Sequence, residues 1–76
     1  MTSPHTVEHT VLTVLSQILA TTADDLRANP VLANYEWDSY SSLEALAQLE
    51  SDLGIRFDLR AFNAASTVDD VIALAA

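Results

Sequence analysis

The sequence predicts an all-α protein. The expected form is a small four-helix bundle, three main helices and one short one, with a long ordered loop between the first and second. Three observations lead there. One glycine and two prolines in 76 residues are too few breakers for a β array of closely spaced turns. Half of the residues are hydrophobic, which suffices for a compact core without staples. Apolar residues recur at helical spacing in stretches bounded by capping residues. Residues 1–76 read as one domain, with no repeat or low-complexity stretch.

The first helix is expected from Pro4 to Ala20. Ser3 can cap it, and Pro4 suits the first helical position, where a backbone N–H has no partner to lose. Val7, Val11, Val14 and Ile18 recur along one face, widened by Leu12, Leu15 and Leu19, while His9, Thr13 and Gln17 lie opposite. Thr21 to Trp37 lacks sustained periodicity and carries the turn formers Asp24, Asp25, Asn29, Pro30 and Asn34. It also carries Leu26, Val31, Leu32, Tyr35 and Trp37. A loop this apolar lies on the core, with room for a short helical turn.

The second main helix is expected from Ser39 to Leu53, N-capped by Asp38 and stopped by Gly54 in a left-handed conformation. Phe57 and Phe62 anchor a short helix starting near Asp58. The last helix begins at Ser66-Thr67-Val68-Asp69, with Ser66 as cap and Asp69 as its reciprocal partner. Val68, Val71, Ile72 and Ala75 form its inward face.

Three arginines and no lysine face eleven acidic residues, a formal charge of −8. Phosphates of nucleic acid and anionic membranes repel such a surface, so neither is an expected partner. Basic patches on other proteins are. There is no cysteine, so any thiol chemistry needs sulfur added from outside. No secretory signal or membrane-spanning run is visible, and the cytoplasm is the expected compartment. His5 and His9 could share a helical face, but two histidines without a third ligand make a weak metal site, and none is expected. Ser39 has no sequence-local base, and no glycine-rich phosphate loop occurs, so a catalytic role is not expected.

The Ser39–Leu53 helix is the informative element. At about 100° per residue, Leu46, Leu49 and Leu53 form one stripe, enough to bury the helix. Tyr40, Leu43 and Ala47 form a second, rotated by roughly a quarter turn and bordered by Glu44 and Ser51. That stripe either packs under the long loop or stays open as a docking surface rimmed by acid. Ser39 sits where loop meets helix. A phosphate ester there would meet the positive end of the helix dipole, opposed by the Asp38 carboxylate. Taken alone, Asp38-Ser39 is no more than a common helix start.

The run Glu36-Trp37-Asp38-Ser39-Tyr40-Ser41-Ser42-Leu43-Glu44-Ala45-Leu46 resembles the modification site of acyl carrier proteins, with its Asp-Ser-Leu core and following helix. The likeness continues through Leu49-Glu50, Leu53-Gly54-Ile55 and Phe57, then Ser66-Thr67-Val68 and Val71, and is weaker in the first helix. The resemblance implies that Ser39 carries covalent 4'-phosphopantetheine, received from coenzyme A through a phosphopantetheinyl transferase, with Asp38 as motif neighbour and helix cap. It implies that Tyr40, Leu43, Glu44 and Ala47 contact partner enzymes. Those partners would be an acyl- or aminoacyl-loading enzyme, either an adenylation enzyme or an acyltransferase, and a downstream transferase or synthase. The carrier would present a thioester-bound group and raise its effective concentration at each enzyme.

Three features depart from the family pattern. Tyr40 replaces the usual Leu after the serine, Trp37 precedes Asp38 without the common Gly, and the helix is less acidic than in fatty-acid carriers. They favour a specialised stand-alone carrier of polyketide, nonribosomal-peptide or aminoacyl-transfer chemistry. The competing function is a non-covalent helical module that docks a partner through Tyr40, Leu43 and Ala47. A monomer is expected in either case, because the second stripe is assigned to transient partners.

Overall fold

The computed structural model describes residues 4–75, with side chains from Thr6 onward. The expected Ser3 cap and the side chains of Pro4 and His5 lie outside the described residues. The elements in order are α1 (Pro4–Ile18), α2 (Ala23–Ala28), a 3-10 turn (Leu32–Asn34), α3 (Ser39–Leu53), α4 (Leu59–Ala64) and α5 (Val68–Ala75). α1 packs most extensively on α3, then on α5 and α2, and α4 bridges α3 and α5. The Cα radius of gyration is 11.0 Å. A compact chain of this length is expected near about 11 Å, so the long segment between α1 and α3 is folded onto the bundle.

The core is the one the helical spacing selects. Val7, Val11, Leu12, Val14 and Leu15 of α1 are buried against Ala45, Leu46 and Leu49 of α3, with Val68, Val71 and Ala75 from α5. Phe62 of α4 is fully enclosed, as are Leu26 and Leu32 of the connecting segment. His9, Thr13 and Gln17 face solvent as expected.

Helix α1 ends at Ile18 rather than Ala20. The Thr21 N–H bonds the Ser16 carbonyl at 2.9 Å and the Ala20 N–H reaches the Gln17 carbonyl at 3.4 Å. Ala20 adopts φ of 54°, the left-handed conformation that closes such a terminus. The same role at the end of α3 falls to Gly54, at φ 66°.

The segment read as a loop holds a full short helix as well as the 3-10 turn. Thr22 caps α2, its hydroxyl accepting from the Asp25 N–H at 3.1 Å. Asp24 and Asp25 sit in the first turn and Arg27 in the last, each matched to the helix dipole. Six residues are too few to show a helical period, and the signal was in the cap. Val31, expected on the core, is 41% exposed. The backbone of its two neighbours carries the interaction instead: the Leu32 N–H bonds the Ser66 carbonyl at 3.0 Å, and the Val68 N–H bonds the Pro30 carbonyl at 2.9 Å.

The last helix is capped one residue later than expected. Thr67 Oγ1 accepts from the Asp70 N–H at 3.1 Å, and the Asp70 carboxylate accepts from the Thr67 N–H at 3.2 Å. The same carboxylate accepts from the Ser66 N–H and hydroxyl, so Ser66 supports the box and Asp69 is left exposed.

Candidate functional site

The approach to Ser39 is a strap held at several points. Tyr35 donates its phenol proton toward the Asn29 carbonyl at 2.7 Å, with the Asp25 carbonyl at 3.2 Å. The Asp25 carbonyl already accepts from the Asn29 N–H at 2.8 Å, so the phenol's main role is to satisfy the Asn29 carbonyl at the end of α2. Asn34 Nδ2 donates to Asn29 Oδ1 at 2.8 Å. The half-buried Trp37 ring lies 6.0 Å from Phe62, and Phe57 meets Phe62 edge-on at 5.3 Å. An aromatic row therefore ties the segment entering the serine to α4 and to the loop after α3.

Asp38 has extended backbone, and its carboxylate accepts from the Ser41 N–H at 2.8 Å. That bond, followed by the Ser41 hydroxyl, holds the Asp38 carboxyl below its ordinary pKa. The Asp38 carbonyl accepts from the Ser42 N–H at 2.9 Å, the first turn of α3.

The three serines of this turn differ. Ser42 is 7% exposed, its hydroxyl donating to the Ser39 carbonyl at 3.2 Å. Ser41 is half-exposed and engaged with Asp38. Ser39 is exposed, and its hydroxyl makes no hydrogen bond among the described residues. The residues fit a covalent phosphopantetheine: an accessible nucleophilic oxygen on a rigid helix start, pointing at no competing partner.

The second stripe of α3 is open rather than covered by the loop. Tyr40 is 78% and Leu43 59% exposed, and Glu44 and Ala47 are exposed beside them. The loop does not cover them: Leu26 and Leu32 lie in the core, and Tyr35 and Trp37 pack against it. Glu50, one of the spread acids of the helix, turns inward. Its Oε2 accepts from the Phe57 N–H at 2.9 Å, joining the following loop to α3.

A sequence profile of the family described as a phosphopantetheine attachment site matches residues 9–75. The chain belongs to that family. It is a non-catalytic carrier protein whose cofactor is covalent 4'-phosphopantetheine, and carriers of this kind are modified by phosphopantetheinyl transferases. No curated protein and no solved structure matches the chain. Among the described residues, no helix of this carrier is long and apolar enough to cross a membrane.

Sequence reasoning missed the Tyr35 phenol and the inward Glu50. Neither had a local signal. Tyr35 reaches back to Asp25 of α2 and to its C-cap Asn29, in a segment read as a loop with room for one short helical turn, and Glu50 acts on a residue beyond the turn at Gly54.

Proposed function

We propose that Ser39 is the attachment residue and that residues 1–76 act as one carrier unit. The uncommitted, exposed Ser39 hydroxyl at the start of α3 carries this reading. In the modification, Ser39 Oγ attacks the pantetheine-bearing phosphorus of coenzyme A. The phosphoanhydride bond breaks, 3',5'-adenosine bisphosphate leaves, and the hydroxyl proton passes to a base on the transferase. Once attached, the arm supplies a thiol that holds an acyl or aminoacyl group as a thioester, in a chain with no cysteine of its own.

Tyr40, Leu43, Glu44 and Ala47 are the docking residues in this reading, supported by their exposure beside Ser39. The partners are a loading enzyme, an adenylation enzyme or acyltransferase, and a downstream transferase or synthase in polyketide- or nonribosomal-peptide-type metabolism. The departures around Ser39 support that assignment over a fatty-acid role. So does the engagement of Glu50 and of Asp52, which accepts from Gln48 Nε2 at 2.9 Å, because it leaves the helix fewer uncommitted acids. The carrier is a cytoplasmic monomer in this proposal.

The test is intact mass after incubation with coenzyme A and a broad-specificity phosphopantetheinyl transferase. The parent gains one phosphopantetheine group and Ser39→Ala gains none. Modification of the Ser39→Ala protein would move the site to another residue.

A further inference from the structure

Trp37 is the single tryptophan of the chain, and it stands two residues before Ser39. Its ring is half-buried, packed on the core and held against Phe62. Its indole N–H takes no part in that packing. The N–H makes no hydrogen bond among the described residues. No buried polar side-chain atom among those residues lacks a partner, so this unpartnered donor is open to solvent. A tryptophan N–H usually finds an acceptor when its ring is packed away. Here it is left unspent beside the attachment serine.

The backbone turns this donor toward Ser39. Asp38 is extended, at φ −107° and ψ −176°. Alternate side chains of extended backbone share a side, so Trp37 and Ser39 project together and Asp38 projects away from them. Two extended residues span about 7 Å, a gap that an indole side chain and a phosphate ester bridge together. Other donors near the serine are already engaged. The Asp38 carboxylate takes the Ser41 N–H at 2.8 Å and draws on the Tyr40 N–H as well. Those are N–H groups of the first turn of α3 that an anion on Ser39 would otherwise use.

We propose that Trp37 is a resting contact for the base of the phosphopantetheine arm. Its indole N–H donates to an oxygen of the phosphodiester, and the open part of its ring lies against the carbon bearing the two methyl groups that follows. The inference deepens the attachment reading above and rests on it. A single exposed hydrogen bond favours contact by about twofold to tenfold. The arm base then rests on the indole roughly two-thirds to nine-tenths of the time. That is enough to bias the arm and weak enough for a partner enzyme to lift it away.

The test uses nitrogen-15-labelled protein, which gives one indole N–H signal because there is one tryptophan. Spectra are recorded before and after modification by coenzyme A and a phosphopantetheinyl transferase, with intact mass read on the same samples. Modification is expected to move the indole signal and to slow its exchange with water by about threefold to tenfold. The phosphorus-31 signal of the diester should differ between the parent and Trp37→Phe, which keeps a ring for Phe62 and removes the N–H. Circular dichroism checks that this variant is folded. A mass gain at Ser39 with the indole signal and its exchange unchanged overturns the inference and leaves the carrier reading standing. So does a phosphorus signal that Trp37→Phe leaves in place. An indole shift in Ser39→Ala under the same incubation would assign the effect to free coenzyme A, and overturns it too. Absence of any mass gain in the folded parent removes the carrier reading and this contact with it.

Discussion

The Trp37–Phe62 contact is the point at which packing bears on function. Trp37 stands two residues before Ser39, and Phe62 is fully buried in α4. Their centroids are 6.0 Å apart at 47°. Aromatic pairs at about 4.5–7 Å contribute roughly 0.5–1.5 kcal/mol beyond the area they bury. The long separation and the partial exposure of Trp37 place this pair toward the lower half, about 0.5–1 kcal/mol. A double-mutant cycle of Trp37→Leu and Phe62→Leu by urea unfolding isolates that energy. A chain of this length has a stability of roughly 4–11 kcal/mol. Trp37→Leu also gives up buried area, so its total cost is about 1–3 kcal/mol, which from the low end leaves at most roughly 15–20% of chains unfolded. A severalfold fall in phosphopantetheinylation rate exceeds that fraction and reports the position of Ser39. The expected fall in kcat/KM is about threefold to tenfold, since small misplacements of a reacting group are costly. A coupling energy indistinguishable from zero, or an unchanged rate, would refute the view that the aromatic row positions the serine.

Two further predictions concern the backbone and the acid range. Ala20→Gly should stabilise the protein, because Ala20 holds a left-handed φ of 54°. The expected gain is about 0.5–1 kcal/mol, or roughly 2–8 °C in Tm by calorimetry. Gly54→Ala is its mirror: the added Cβ meets nothing within 4 Å, so the loss should be the backbone cost alone, about 1 kcal/mol. A destabilised Ala20→Gly variant would contradict this account of the α1 terminus. Asp70 is held below the ordinary aspartate pKa, first by the Ser66 N–H, then by the Ser66 hydroxyl and Thr67. A depressed folded pKa means that its stabilisation is present above the unfolded value, and is lost as pH falls below about 4 toward the folded value. Acid titration of stability should therefore be less steep for Asp70→Asn than for the parent, and parallel curves would show that the box contributes nothing there.

The main helices were readable because each is long enough to repeat its pattern. Valines and leucines four and three apart define α1, and Asp38 and Gly54 mark both ends of α3. The candidate serine was readable for the same reason: Asp-Ser at a helix start, followed by two stripes, is a local arrangement. Helix α2 was not readable, since six residues make less than two turns and offer only the Thr22 cap. Placement of the last cap at Thr67 rather than Ser66 depended on the bridge to Pro30 and Leu32, which aligns that segment from a distant part of the chain.

Spacing along a helix shows that Tyr40, Leu43 and Ala47 share a face, but not whether anything covers it. That depends on where the segment from Thr21 to Trp37 runs, and Leu26, Leu32 and the Tyr35 phenol take it to the core instead. Composition likewise shows that positive charge is scarce in this chain. Which arginine meets a carboxylate is a matter of distances between side chains far apart in sequence, as where Arg27 faces Glu8 at 3.8 Å. Local order comes from near-neighbour chemistry, readable residue by residue. What is covered and what is left open comes from contacts across the chain, which no window of neighbouring residues contains.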